Sequence, residues 1–277
     1  MSSDLSRSAA AQSGVGPQAG LPARFSRPHP LTWLAWVILA AFFVVSLEGT
    51  DWSFTDMAEG VPALWRFLSK AFPPDLERLD SVLWALLETF QMALVGTVVG
   101  VVISLPLAVL ASRKHSPAKP VYAAARGLIA LFRVVPDLVW ALIFVVTVGL
   151  GPFAGTLALA VDTIGFCGRF FAEAMEEVDE GPQKALKAIG ASRNGVVACA
   201  VLPAALPSFI NTGLFALEKA VRSSVVLGLV GAGGIGIELK VAMDLFQFDQ
   251  AATIILCIFV LILGVERVST WARGKVM

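Results

Sequence analysis

The sequence predicts an all-α, polytopic membrane protein with six transmembrane helices and one short helix outside the bilayer. Three observations carry this. Hydrophobic residues make up 57% of the 277-residue chain and charged residues only 15%, where a soluble domain carries about 25% charged residues. Too little polar surface remains to cover a water-facing globule, so lipid must cover the rest. The apolar residues fall in continuous runs long enough to cross a hydrocarbon core about 30 Å thick as helix, not in the ten-residue alternation of a membrane β-barrel. Basic residues gather in the segments on one side of those runs.

Taken in order, residues 1–30 are rich in Ser, Ala, Gly and Pro and carry Arg7, Arg24 and Arg27. They lack the apolar stretch and small-residue cleavage site of a signal peptide, and read as a disordered cytoplasmic tail. Residues 31–80 hold the first span, Leu31–Leu47, with Trp33 and Trp36 as interface anchors. An acidic outer loop follows, with an amphipathic stretch at Val61–Phe72. The remainder, 81–277, reads as one transmembrane domain. Its spans are Ser81–Ser112, Pro120–Val148, Phe153–Val178, Val196–Val230 and about Gln250–Glu266. The turn Gly149–Pro152 separates the third span from the fourth, a polar segment at 179–193 the fourth from the fifth, and a glycine-rich break at Gly231–Gly236 the fifth from the sixth.

Charge sets the orientation. Arg113, Lys114, Lys119, Lys184, Lys187, Arg193, Arg267, Arg273 and Lys275 lie with the tail arginines on one side. The loop after the first span holds Glu48, Asp51, Asp56, Glu59, Asp75, Glu77 and Asp80. The positive-inside rule therefore places both termini in the cytoplasm. Zero net charge gives no bulk basic field for nucleic acid. Cys167, Cys199 and Cys257 sit apart in apolar surroundings, and His29 and His115 flank the spans, so neither a disulfide framework nor a metal site is expected. No Ser/His/Asp set or paired carboxylates point to an enzyme.

The polar segment 179–193 follows the grammar of a bounded helix at Pro182–Gly190. Asp179 and Glu180 precede it, proline sits in its first turn, lysines lie further in and glycine ends it, each suiting the helix dipole and terminal sterics. Ala185, Leu186, Ala188 and Ile189 gather toward one face. Two turns are not stable alone in water, so that face needs either the membrane surface or a partner.

The stretch resembles the EAA loop of binding-protein-dependent ABC permeases, E-A-A-x3-G-x9-I-x-L-P. Ala185 matches the first alanine, Gly190 the glycine, and Leu202-Pro203 the final pair; Lys184 stands for the glutamate, Leu186 for the second alanine and Ala200 for the isoleucine. Arg133-Val-Val-Pro-Asp-Leu-Val-Trp-Ala-Leu142 with Gly149–Pro152, and Glu218-x-x-x-Arg222 with Val226–Gly236, resemble phosphonate importer permeases within that superfamily. The glycine string also resembles methionine importer permeases.

The resemblance implies a type I ABC importer permease fold in a bacterial inner membrane. It implies a homodimer, two copies of an ATPase subunit that use ATP and Mg, and an external solute-binding protein. Lys184, Ala185, Leu186, Ala188, Ile189, Gly190 and Ala191 would then form the coupling helix against the ATPase. The cargo would be phosphonate, or a related phosphorus oxyanion such as phosphite or phosphate. The chain itself has no Walker A sequence and is expected to bind no cofactor. Methionine or another nutrient remains an alternative cargo, and an ion-coupled carrier or channel built on Asp162 or Glu218 an alternative class.

Charges at mid-bilayer face a cavity or a partner because exposure to lipid costs at least about 2.5–3.5 kcal/mol. Arg133 and Asp137, four apart across Pro136, either line a path for an oxyanion or neutralise each other. Glu218 and Arg222 are spaced as an i,i+4 pair and can serve a gate instead. Asp162 and Arg169 lie two turns apart on one face of the fourth span and can line the same path. Gly231, Gly233 and Gly234 have no following Lys-Ser/Thr, so they cradle no phosphate; they suit close helix approach at a gate.

Overall fold

The computed structural model describes residues 30–276; the tail expected before Pro30 lies outside the described residues. Two compact units divide at Ala63/Leu64. In the first, α1 (Pro30–Gly49) is apolar all round and buries none of its residues, as a helix that meets lipid on every side would. The second helix, α2 (Phe54–Ala71), crosses the division and starts earlier than the amphipathic stretch expected at Val61–Phe72. Ser53 Oγ accepts from the Asp56 N–H at 3.1 Å and so caps its first turn.

The second unit is built around α3 (Leu79–Ala111) and α6 (Pro152–Glu177). Lipid tails are as apolar as leucine, so close packing must hold these helices together. Small residues make it possible. A Cβ on Gly96 would stand 2.8 Å from Leu159 Cβ, and one on Gly100 2.5 Å from Thr163 Cβ. One turn on, Ser104 satisfies its hydroxyl on the Gly100 carbonyl at 2.7 Å. The helix α9 (Leu202–Gly228) closes the core, with Phe209 4.5 Å from Phe171 between ring centroids.

The expected third span is not continuous. It is two helices, α4 (Lys119–Val134) and α5 (Asp137–Val148), bent by 90° at Val135-Pro136. Proline has no N–H to continue the ladder and disfavours helical geometry at the residue before it; Val135 is accordingly extended, at φ −79° and ψ 120°. Among the described residues five helices have the length and apolarity of spans, six if the bent pair counts as one crossing.

Three further boundaries differ from expectation. The fifth span starts at Arg193, where α8 (Arg193–Val196) runs through a π-turn (Val197–Val201) into α9. Pro203 follows at once, and the wider turn relieves the ring's clash with the carbonyl four residues back. The region beyond Gly234 is helical, α10 (Ile235–Asp244), rather than a loop. The last helix, α11 (Phe248–Val276), runs past Glu266 and takes Arg267, Arg273 and Lys275 into its final turns.

Candidate functional site

The short helix α7 spans Glu180–Ala188, two residues earlier than Pro182–Gly190. Asp179 caps it by accepting from the Gly181 N–H at 3.2 Å. At the other end Gly190 N–H donates to Lys187 O and Ala191 N–H to Leu186 O, the paired bonds of a Schellman motif. That motif needs a left-handed residue, and Gly190 has φ +84°.

Its burial is inverted. The one buried residue is polar, Gln183, whereas Ala185 and Ala188 are exposed and Ile189 is 81% exposed. Leu186 is half-buried. Gln183 Nε2 donates to Asp179 O at 3.2 Å, which turns Oε1 toward His115 Nε2 at 3.3 Å. His115 is itself buried and its Nδ1 lies 2.9 Å from Ser112 Oγ. Burial above all, and then the nearby charges of Lys187, Arg193 and Lys114, hold its pKa below the usual histidine value; the bond to Gln183 pulls the other way. Arg193 donates to the His115 carbonyl. Outside, Glu180 reaches Lys114 at 3.0 Å and Lys184 at 3.1 Å, and hydrogen bonds from those lysines, Lys114 first, lower its carboxyl pKa to about 2.

Lys184 therefore has a local partner. His115 and Gln183 went unrecognised in the sequence: a histidine beside a span and a glutamine in a polar loop carry no pattern, because only the meeting of two loops gives them a role.

Two of the intramembrane acids, Asp162 and Glu218, are paired across helices. Arg133 and Asp137 form no ion pair, because the 90° bend separates them; Arg133 lays its stem against Gly165 of α6, and Asp137 accepts from the Leu138 N–H at 2.9 Å. Glu218 does not pair with Arg222. It accepts from Arg273 of α11 at 2.6 Å. Asp162 is held by Lys219 at 2.8 Å through both oxygens, and Arg169 pairs with Glu173 at 2.7 Å. Arg133 and Arg222 are left with no acidic partner among the described residues, and both are exposed on the single chain. No group of three His, Cys, Asp or Glu side chains gathers as a metal site among them.

The glycine run is a packed turn. Gly231, Gly233 and Gly234 all have positive φ, and a Cβ on Gly233 would lie 2.5 Å from Pro152 Cα. Gly151 N–H donates to Gly231 O at 3.0 Å and ties the α5–α6 turn to it. Glu88 and Thr89 of α3 accept from the Gly234 and Ile235 N–H groups at 2.9 and 2.7 Å, so a distant helix caps α10. Gly236 passes Gly228 with no room for a side chain on either.

Residues 100–273 match the family described as binding-protein-dependent transport system inner membrane component. Among similar proteins is a phosphite transport system permease protein of Stutzerimonas stutzeri, PtxC, 38% identical over 84% of this chain and 83% of that protein. A phosphate-import permease protein of Mycolicibacterium smegmatis, PhnE, is 38% identical over 76% of this chain and 40% of its own greater length. A chain of the MetNI methionine ABC transporter, solved in inward-facing form, shares the fold: TM-score 0.62 at 24% identity, over 71% of this chain and 96% of that one.

Proposed function

The chain belongs to the binding-protein-dependent transport system inner membrane component family, and from that premise we propose that it is the multi-pass permease of an importer for a phosphorus oxyanion. Phosphite, phosphate and phosphonate are the cargo class, on the strength of the named relatives. The proposal takes residues 31–80 as first span and outer loop and 81–277 as the permease domain, in the inner membrane. Counting α4 and α5 as one crossing gives an even number of spans, which supports termini on one side, and the basic residues on that side favour the cytoplasm.

One observation carries the coupling role: α7 buries its glutamine and leaves its alanines and Ile189 in the open. A helix that rested on its own protein would do the reverse. Lys184, Ala185, Leu186, Ala188, Ile189, Gly190 and Ala191 then form the face that docks on an ABC ATPase subunit, one for each of two permease copies. ATP and Mg are used there. An external solute-binding protein delivers the anion.

Arg133 and Arg222, intramembrane arginines with no acidic partner among the described residues, are the path residues; a guanidinium offers an oxyanion a fork of donors. Pro136 with Asp137 sets the bend that presents Arg133, and Gly231, Gly233 and Gly234 form the outer gate. Asp162 with Lys219 and Glu218 with Arg273 hold helices together, while Arg169 pairs with Glu173 on its own helix. That pairing also speaks against an ion-coupled carrier, whose cation sites would have to be the carboxylates that Lys219 and Arg273 already occupy.

Reconstituted vesicles decide the matter. With ATPase, binding protein and internal ATP, uptake of phosphite, phosphate or alkylphosphonate is expected, and methionine should be refused. Uptake driven by an ion gradient without ATP would overturn the importer reading. Preference for methionine would overturn the cargo class.

A further inference from the structure

We propose that Ser112, His115 and Gln183 form a strut that makes α3 and α4 move with α7, and that His115 is its positioning residue. This rests on the reading of α7 as the coupling helix. The chain joins α7 directly only to α6, which ends at Glu177, and to α8, which starts at Arg193. A displacement of α7 would reach those helices through the backbone. The helices α3 and α4 have no such link, and the loop between them must be moved through non-covalent contacts.

The buried ones among those contacts converge on one residue. His115 lies in the α3–α4 loop and is 5% exposed, as is Gln183 of α7; Ser112 is 0% exposed. Gln183 gives its amide hydrogens to the Val178 and Asp179 carbonyls, so its oxygen faces the imidazole as an acceptor. His115 Nε2 therefore donates to it, and Nδ1 accepts from the Ser112 hydroxyl. Every polar atom of the neutral ring is satisfied. Shearing α7 against the loop would leave a desolvated donor and acceptor unpaired, which is costly enough to make the contact stiff.

Neighbouring bonds brace the same junction. Arg193 donates to the His115 carbonyl from the start of α8, and Lys114 holds Glu180 on the outer side. Arg126 of α4 donates to the Ala111 carbonyl at 2.9 Å and reaches Glu176 of α6 at 3.3 Å. Glu176 also accepts from the Arg113 N–H at 2.5 Å. The ends of α3, α6 and α8 and the middle of α4 thus meet around the inner side of α7, while Ala185, Ala188 and Ile189 stay exposed.

The test uses the permease purified with its ATPase and binding protein, in vesicles, with phosphite as probe. His115→Ala and Gln183→Ala are expected to keep the ATPase bound and hydrolysing, while phosphite taken up per ATP falls about three- to tenfold. The double variant should be no worse than the weaker single one, since both remove the same bond. Gln183 lies on a nine-residue helix outside the bundle, so its variant remains informative if His115→Ala fails to fold. Leu186→Asp separates the two ideas. Release of the ATPase by Leu186→Asp with an unchanged ratio in Gln183→Ala overturns the strut alone. Retention of the ATPase by Leu186→Asp overturns the docking reading and the strut with it. Additive losses in the double variant also overturn the strut.

Discussion

The two ends of the helix bundle are joined by opposite means. Around α7 the junction is made of side chains: an imidazole, an amide, hydroxyl and charged groups that reach across loops. At the glycine run the junction is made of backbone, with Gly228 against Gly236 and Gly233 against Pro152. Side-chain junctions can lose one member without moving the backbone, because the cost falls on the bond that member made. Backbone junctions cannot, because any added carbon meets a neighbour that has nowhere to go. The contrast implies a rigid hub at one end and a transmissible linkage at the other.

The largest effect is expected at the rigid end. Gly236→Val puts its Cβ into the Val225 carbonyl and should destabilise the detergent-solubilised protein by about 3 kcal/mol or more, read as a drop in unfolding temperature. Thr89→Val, which strips the cap from the Ile235 N–H, should cost about 1–3 kcal/mol. A mild effect from Gly236→Val would erase the distinction between the two ends.

At the linkage end the losses should appear in function first. Leu186→Asp introduces a charge at the half-buried edge of the apolar face and is expected to abolish ATPase co-purification while leaving membrane insertion close to wild type. At the proposed path residues, Arg133→Gln and Arg222→Gln should each lower phosphite uptake by about tenfold, on the scale of one lost charge-assisted hydrogen bond, with ATPase binding intact. Unchanged uptake in both would remove them from the path.

The smallest expected effect is on pH. Burial lowers the His115 pKa in the folded protein below the unfolded value of 6.5, so the folded state binds fewer protons there. Its contribution is fully present above about pH 6.5 and is lost as pH falls through the folded pKa. The charged groups that face it, Lys114, Lys187 and Arg193, are all cations. Uptake per ATP should weaken below about pH 6.5 in wild type and lose that dependence in His115→Gln. An identical acid limb in the variant would assign the effect elsewhere.

Much of this protein was legible before any fold was known. The spans α1, α3 and α6 follow from runs of apolar residues, and the caps of α7 from Asp179 and Gly190, because length, hydropathy and terminal sterics act locally. Pro136 lay inside what reads as one continuous span, and its 90° bend was not legible, since what the two halves pack against fixes their angle. Glu218 and Arg222 had the spacing of a pair, yet Glu218 found Arg273, 55 residues away. Charge partners in lipid are chosen by which helices touch. His115 with Gln183, and Thr89 with Ile235, belong to the same class. A hydrogen bond between distant segments leaves no periodicity in either, so the sequence determined the elements and only their packing decided how the two ends are joined.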